Sequence, residues 1–230
     1  MAIDPDDQVR LAGAEITELA PAEWRFLDAQ LPQLRTRFLT GDFSTGLALV
    51  NSIGNAADAA DHHPDLDLRY GFLDVSLSSH DVGGVTRRDL RLAASISEMA
   101  RAAGVEADPA APQVVELGLD TWASPEKRYE ILPFWRAVLG YPGRGDDGDD
   151  VFDPSGRGPL IWFQATDEHE EPRQRFHLDI CVPHDQVEAR IAAAVEAGGL
   201  LVTDVGAPAF WVLADPQGNK ACLCTWQGRG

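Results

Sequence analysis

With 230 residues, the chain is long for one domain and sufficient for two of about 100 residues each. A hydrophobic fraction of 44% is that of an ordinary globular protein, while the net charge of −18, spread over both halves, opposes binding to a phosphate backbone or an anionic membrane. No run approaches the ~18 apolar residues of a membrane span, and the start, Met1-Ala-Ile-Asp-Pro-Asp-Asp7, has neither the basic region nor the apolar core of a signal peptide. Three cysteines, an odd number with Cys222 and Cys224 only two apart, suit a reduced cytoplasmic protein rather than a disulfide scaffold.

In chain order, Trp24 to Asp28 and Leu34 to Leu39 have the pattern of short strands. Asp42 is placed to cap a helix whose apolar positions Phe43, Leu47, Val50, Ile53 and Ala57 follow the helical period. Leu66 to Tyr70 and Phe72 to Ser79 are strand-like. Thr86-Arg-Arg-Asp89 has the form of a capping box and opens a helix carrying Leu90, Ala93, Ile96 and Ala100. The Ala- and Pro-rich segment Gly104 to Gln113 then suggests a seam, with domains at 1–104 and 114–230 and a linker at 105–113.

Beyond the seam, Val114 to Leu119 is expected as a strand and Glu126 to Leu139 as a helix stopped at Gly140. The acidic loop 143–150 is expected as a solvated turn, because it lacks the glutamate that would complete a calcium loop. Strands are expected at Leu160–Gln164 and Phe176–Val182, and a helix at Asp185–Ala197 before Gly198-Gly199. Three more strands, Leu200–Thr203, Phe210–Ala214 and Ala221–Thr225, complete the chain. Strand, helix and strands occur twice, the mark of an internal duplication.

Chemistry concentrates before the seam. His62, His63 and His80 are half of the chain's six histidines, and imidazole titrates near pH 6.5 without perturbation. Neighbouring side chains on a helix end diverge, so His62 and His63 can reach a ligand from two sides but are awkward as joint ligands of one metal. Along 72–80, His80 shares its face with Ser76 and Ser78, opposite Leu73, Val75 and Leu77. Asp58, Asp61 and Asp81 lie close enough in sequence to orient imidazoles. The spacing alone admits a surface cluster, a zinc site or an acid–base site.

The segment Asp58-Ala-Ala-Asp61-His62-His63-Pro64, Tyr70, Ser78-Ser79-His80-Asp81, Gly83-Gly84-Val85-Thr86 and Asp89, with Trp24 and Arg37-Phe38…Asp42-Phe43 upstream, resembles pterin-4a-carbinolamine dehydratase over about residues 9–103. It departs at Ser79, where threonine is common, and at Leu66-Asp67, where many members carry aromatic residues. The resemblance implies a four-stranded antiparallel sheet with helices on one face, a homo-oligomer, and loss of water from a 4a-hydroxytetrahydropterin to give quinonoid dihydropterin. It implies His62 and His80 as the acid–base pair, His63 in pterin binding and proton sharing, and Asp61, Ser78, Ser79 and Asp81 as substrate-binding or orienting groups, with Asp58 orienting. No cofactor or metal is needed, and the partner is a small pterin rather than nucleic acid or membrane.

After the seam, Pro133-Phe134-Trp135…Gly140-Tyr141, Phe176-His177-Leu-Asp-Ile-Cys-Val182 and Trp211…Asp215-Pro-Gln-Gly218-Asn219 resemble the glyoxalase/bleomycin-resistance superfamily over about 113–227. This implies an α+β chain whose second domain pairs two βαβββ modules around a cleft. Metal-using members supply His and Glu from four strands, but here His177 alone clearly matches a ligand position. Cys222 stands where Glu is expected, and Glu116 is a looser candidate. His177 is therefore expected as a pocket or core residue, and Cys222 and Cys224 as buried small hydrophobes. Trp122, Trp135, Trp162, Phe163, Phe210, Trp211 and Trp226 suit either a ligand cleft or an aromatic core. Two other readings stay open: a non-catalytic oligomerisation or partner-binding module, and a metal-dependent lyase or dioxygenase in the second half.

Overall fold

The computed structural model describes residues 5–27, 32–114, 116–122, 128–141, 150–166, 177–182, 186–225 and 227. The chain divides into two compact units, Met1–Val114 and Val115–Gly230. Asp28, Glu126, the acidic turn over 143–149, Phe176, Asp185 and Trp226 lie outside the described residues, as do the parts of the expected elements that rest on them. Among the described residues, no helix is long and apolar enough to cross a membrane.

The first unit runs α1 (Gly13–Leu19), β1 (Arg25–Leu27), β2 (Gln33–Leu39), α2 (Phe43–Ala60), β3 (Asp65–Leu68), β4 (Leu73–Leu77), α3 (Arg87–Ala102) and β5 (Glu106–Ala107). Its sheet has the order β1-β2-β4-β3, with β5 also on β2, and every pairing is antiparallel. Alternation along β2 sends Leu34, Thr36 and Phe38 inward and leaves Arg35 and Arg37 on the other face, where Arg37 pairs with Asp74 of β4. Leu34, Phe38, Leu73, Val75 and Leu77 form one core with Leu49 and Ile53 of α2 and Leu92, Ala93 and Ile96 of α3. Trp24 closes it, edge-on to Phe38 at 6.4 Å, its indole N–H donating to Ser97 at 2.9 Å.

Two details differ from the sequence reading. The buried stripe of α2 is Gly46, Leu49, Ile53 and Ala57, whereas Phe43 and Leu47 face outward. The helix is apolar over so wide an arc that periodicity alone fits either face. Gly46 settles it, since a Cβ there would lie 2.5 Å from the Leu68 side chain. Then, part of the segment expected as linker belongs to the first sheet: Val105 is buried, Glu106 and Ala107 pair with β2, and the Asp108 N–H donates to Arg37 O. The two-residue β5, like α1, is too short to show a period.

The second unit contains β6 (Glu116–Trp122), α4 (Arg128–Leu139), β7 (Asp150–Val151), β8 (Leu160–Thr166), β9 (Leu178–Cys181), α5 (Val187–Glu196), β10 (Leu200–Thr203), β11 (Phe210–Ala214) and β12 (Lys220–Cys224). Its sheets have the orders β6-β8-β7 and β10-β11-β12-β9. In each, the strand before the helix lies parallel to the last strand of the same module, β6 beside β8 and β9 beside β12. The repeat read in the sequence is thus a repeat of topology. Ile131, Phe134, Trp135 and Val138 of α4 and Val187, Ile191 and Ala194 of α5 share a core with Ile161, Leu213 and Leu223.

The aromatic residues divide. Trp135, Phe163 and Trp211 are buried, while Trp162 and Phe210 are 40% exposed. Trp135 donates its indole N–H to Asp215 at 3.1 Å. Asp215 also accepts from the backbone N–H groups of Gln217 and Asn219, both at 2.9 Å, and from the Asn219 amide at 2.8 Å, closing the turn between β11 and β12. Burial pushes this carboxyl up from the ordinary range despite those four donors.

Candidate active site

The His-His pair is presented by the way α2 ends. Asp61 takes a left-handed conformation, φ 48° and ψ 41°, which short polar residues tolerate better than most. The Asp61 N–H donates to Asp58 O and the His62 N–H to Ala57 O at 3.1 Å, an αL closure that reverses the chain within one residue. His62 thereby turns into the protein while His63 stays outside. Asp61 and His63 are exposed, and the His63 Nε2 lies 3.0 Å from Asp58 Oδ1 on the last turn of α2.

His62 is 7% exposed, and its Nε2 lies 2.7 Å from Oδ1 of Asp89, which is completely buried. Asp89 occupies the third position of α3, in a capping box with Thr86. Its Oδ2 accepts from the Thr86 N–H at 2.7 Å, the Ser79 hydroxyl at 2.7 Å and the Thr86 hydroxyl at 3.2 Å. Burial alone would raise this carboxyl, but the hydrogen bonds from His62, Ser79 and Thr86, with the charge interaction to His62, hold it below the usual carboxylate range. A carboxylate can only accept, so His62 Nε2 carries a hydrogen and Nδ1 is the nitrogen left to exchange a proton.

The same carboxylate reaches the segment of His80. Ser79, fully buried, bridges to Gly84 in an isolated antiparallel pair and starts the turn in which His80 stands exposed. Gly83 within it has φ 65°, a conformation that favours glycine. Arg88 donates to the Ser79 hydroxyl at 2.8 Å and pairs with Asp81. No hydrogen bond to the His80 ring is formed among the described residues.

Of the residues singled out in the sequence, His62 and Ser79 meet directly on Asp89, and His80 and Asp81 follow Ser79 in the chain. His63 and Asp58 form a separate, exposed pair. Ser78 is buried and donates its hydroxyl to Pro32 O at 3.0 Å, so both serine hydroxyls are engaged within the protein. Arg88, and Asp89 as more than a helix cap, escaped the sequence reading. The signal for Asp89 was there: it lies three, four and seven residues before Leu92, Ala93 and Ile96, on the face the helix buries, and a carboxylate there requires a partner.

In the second unit, His177 is not a core residue; its side chain is 55% exposed, and Nε2 lies 3.2 Å from Asp179 Oδ1. Cys222 and Cys224 are buried and free, as expected. Burial, then the charge of and hydrogen bond to Asp179, push the Cys222 thiol up to about 11. Glu116 is exposed on β6. His177, Asp179 and Cys222 each present one donor atom within 4.8 Å of the others. One imidazole, one carboxylate and one thiol match a zinc-class cation better than an ion that prefers oxygen ligands alone.

A family model described as Pterin 4 alpha carbinolamine dehydratase matches residues 9–99, and one described as Glyoxalase-like domain matches 120–224. A relative from Chloroflexus aggregans, assigned by name to the same dehydratase family, is 42% identical over 91 residues, covering 39% of this chain and 96% of its own. One from Nocardia farcinica is 46% identical over 59 residues, 26% of this chain and 62% of the relative. Among solved structures, a transcriptional coactivator/pterin dehydratase from Brucella melitensis is 30% identical, covers 40% of this chain and 99% of its own, and gives a TM-score of 0.38. A glyoxalase-related enzyme from Fulvimarina pelagi is 15% identical, with 50% and 88% covered and a TM-score of 0.36. The chain thus belongs, through its first unit, to the pterin-4a-carbinolamine dehydratase family, and that unit is fused to a glyoxalase-like domain.

Proposed function

We propose that the first unit dehydrates a 4a-hydroxytetrahydropterin, with His62 and His80 exchanging the protons. The C4a–O bond breaks as one imidazolium gives its proton to the departing hydroxyl, which leaves as water. The other imidazole takes the proton from N5, and the N5–H electron pair becomes the N5=C4a double bond of the quinonoid product. Nothing is oxidised or reduced, so acid–base groups suffice, and such groups typically contribute ~10²–10⁴-fold.

The observation that carries this reading is the buried His62–Asp89 contact at 2.7 Å. The carboxylate fixes the ring through Nε2 and stabilises the positive charge that forms each time Nδ1 takes a proton. His80, exposed and with no hydrogen bond to its ring among the described residues, is left available to the pterin. His63 and Asp61 are exposed at the same helix end and suit pterin contact, with Asp58 orienting His63. Ser78 and Ser79, whose hydroxyls are taken, serve by holding the His80 turn. Asp81 is held by Arg88 and still 45% exposed, so it remains a candidate contact.

A coupled assay of 4a-hydroxytetrahydropterin dehydration on the full chain tests this. Turnover in His62→Ala and His80→Ala is expected to fall by ~10²–10⁴-fold. Wild-type turnover in both variants would overturn the assignment.

A further inference from the structure

Arg88 stands against the electrostatics of its own helix. It is the second residue of α3, where the unpaired N–H groups favour an anion, so a cation there has its reason outside the helix. Its side chain is only 16% exposed and turns to the segment after β4. There Nε donates to the Ser79 hydroxyl at 2.8 Å, and Nη2 pairs with the Asp81 carboxylate. These two residues flank His80.

The directions of the hydrogen bonds are set by the groups themselves. A guanidinium only donates, so the Ser79 oxygen accepts from Arg88, and the single hydroxyl hydrogen goes to Oδ2 of Asp89 at 2.7 Å. Arg88, Ser79 and Asp89 thus form one relay of donors that ends on the carboxylate holding His62. The turn itself is tied unevenly. Ser79 exchanges backbone hydrogen bonds with Gly84, and its carbonyl accepts from the Val82 N–H. Among the described residues, His80 and Asp81 donate no backbone hydrogen bond, and the His80 ring forms none. The far side of His80 is therefore tied down through the Asp81 side chain, and what ties it is Arg88.

We propose that Arg88 is a positioning residue for His80, gripping the residues on either side of it with one planar guanidinium and so setting where that imidazole meets the pterin. The inference rests on the dehydration reading and adds to it a residue that touches neither the pterin nor the His80 ring. Arginine suits the task, because its rigid fork spans two acceptors in fixed geometry, whereas lysine offers a compact ammonium on a flexible stem.

The test is the coupled dehydration assay on the full chain with Arg88→Gln, Arg88→Lys, His80→Ala and the double variant His80→Ala/Arg88→Gln. Circular dichroism like that of wild type qualifies each variant, and Arg88→Lys, which keeps the charge and the stem, guards against a loss of fold. Arg88→Gln should lower kcat on the order of 10²-fold, the loss that about 1 Å of misplacement can cause, with KM nearly unchanged. Arg88→Lys should fall between Arg88→Gln and wild type. In the His80→Ala background the loss from Arg88→Gln should largely disappear, because no imidazole is left to aim. Wild-type kcat in Arg88→Gln beside an impaired His80→Ala, or an equal loss from Arg88→Gln in both backgrounds, would overturn the clamp and leave the dehydration reading standing. Full kcat in Arg88→Lys would overturn the two-point grip. Wild-type turnover in His80→Ala would instead remove the role of His80, and the clamp with it.

Discussion

Two buried carboxylates, one in each unit, receive similar numbers of hydrogen bonds and respond oppositely. Asp89 and Asp215 are each nearly or fully inaccessible, and burial raises the carboxyl of both. Asp215 is met by neutral donors: two backbone N–H groups, an amide and an indole. They do not offset its desolvation, and it stays above the ordinary range. Asp89 has an imidazole among its donors, and it falls below that range. The number of hydrogen bonds is thus not decisive; at Asp89 those from His62, Ser79 and Thr86 together overcome burial, with the charge of His62 the smallest contribution. Asp215 suits a turn that must be held, and Asp89 suits a site where charge must appear and disappear.

The largest expected effect falls on turnover. Beside the ~10²–10⁴-fold losses for His62→Ala and His80→Ala, Asp89→Asn should lower kcat by roughly 10–100-fold with little change in KM, because it removes the charge that orients and stabilises His62 without removing a pterin contact. A stopped coupled assay at several substrate concentrations separates kcat from KM. If Asp89→Asn raises KM alone, Asp89 shapes binding and not proton transfer.

Next in size is a loss of stability in the second unit. Asp215→Ala orphans the Trp135 indole and two backbone N–H groups, at roughly 1–3 kcal/mol for each buried donor left unpaired. Hydrogen exchange on peptides from α4 and β11 should report faster opening, with dehydration turnover unchanged. Protection equal to wild type would show that water replaces the carboxylate at no cost, and the contrast with Asp89 would lose its structural half.

The pH dependence should also differ in sign. Asp89, depressed in the folded protein, contributes stability above its unfolded value of ~3.9, and that contribution is lost as pH falls through its lower folded value. Asp215, raised, contributes stability that is complete below its unfolded value and is lost as pH rises through its folded one. On acidification from neutral pH to about pH 3, Asp89→Asn should lose less stability than wild type, and Asp215→Asn should gain less. Exchange rates in peptides of α3 and β12 check each arm, and a common sign would undo the comparison.

The smallest effect is expected at the exposed His63–Asp58 pair. Replacing Asp58 by alanine should change stability by about 0–1 kcal/mol, and a modest rise in KM is the signature of a pterin-orienting role. No change in KM would leave the pair as surface decoration.

Much of this is legible in the sequence. Asp42 and Thr86 announce their helices through capping chemistry, and β10 and β11 have the bounds that alternation and turn residues give them. The histidines stood out because imidazole is scarce and clustered. What stayed hidden depended on partners far along the chain. His62 and Asp89 are 27 residues apart, and no local period links a helix end to a helix start. The buried side of α2 depended on Gly46 meeting Leu68, and the exposure of His177 on how the opening of β9 sits beside β12. Ser79 illustrates the limit best: its position beside His80 suggested substrate contact, yet its hydroxyl is committed to Asp89, Thr86 and Arg88.

The central claim is that the charge on Asp89, acting through His62, drives dehydration. The most direct measurement is the coupled dehydration assay on the full chain with Asp89→Asn and Asp215→Asn side by side. The account predicts a fall in kcat for the first and wild-type kcat for the second. Wild-type kcat in Asp89→Asn would contradict it.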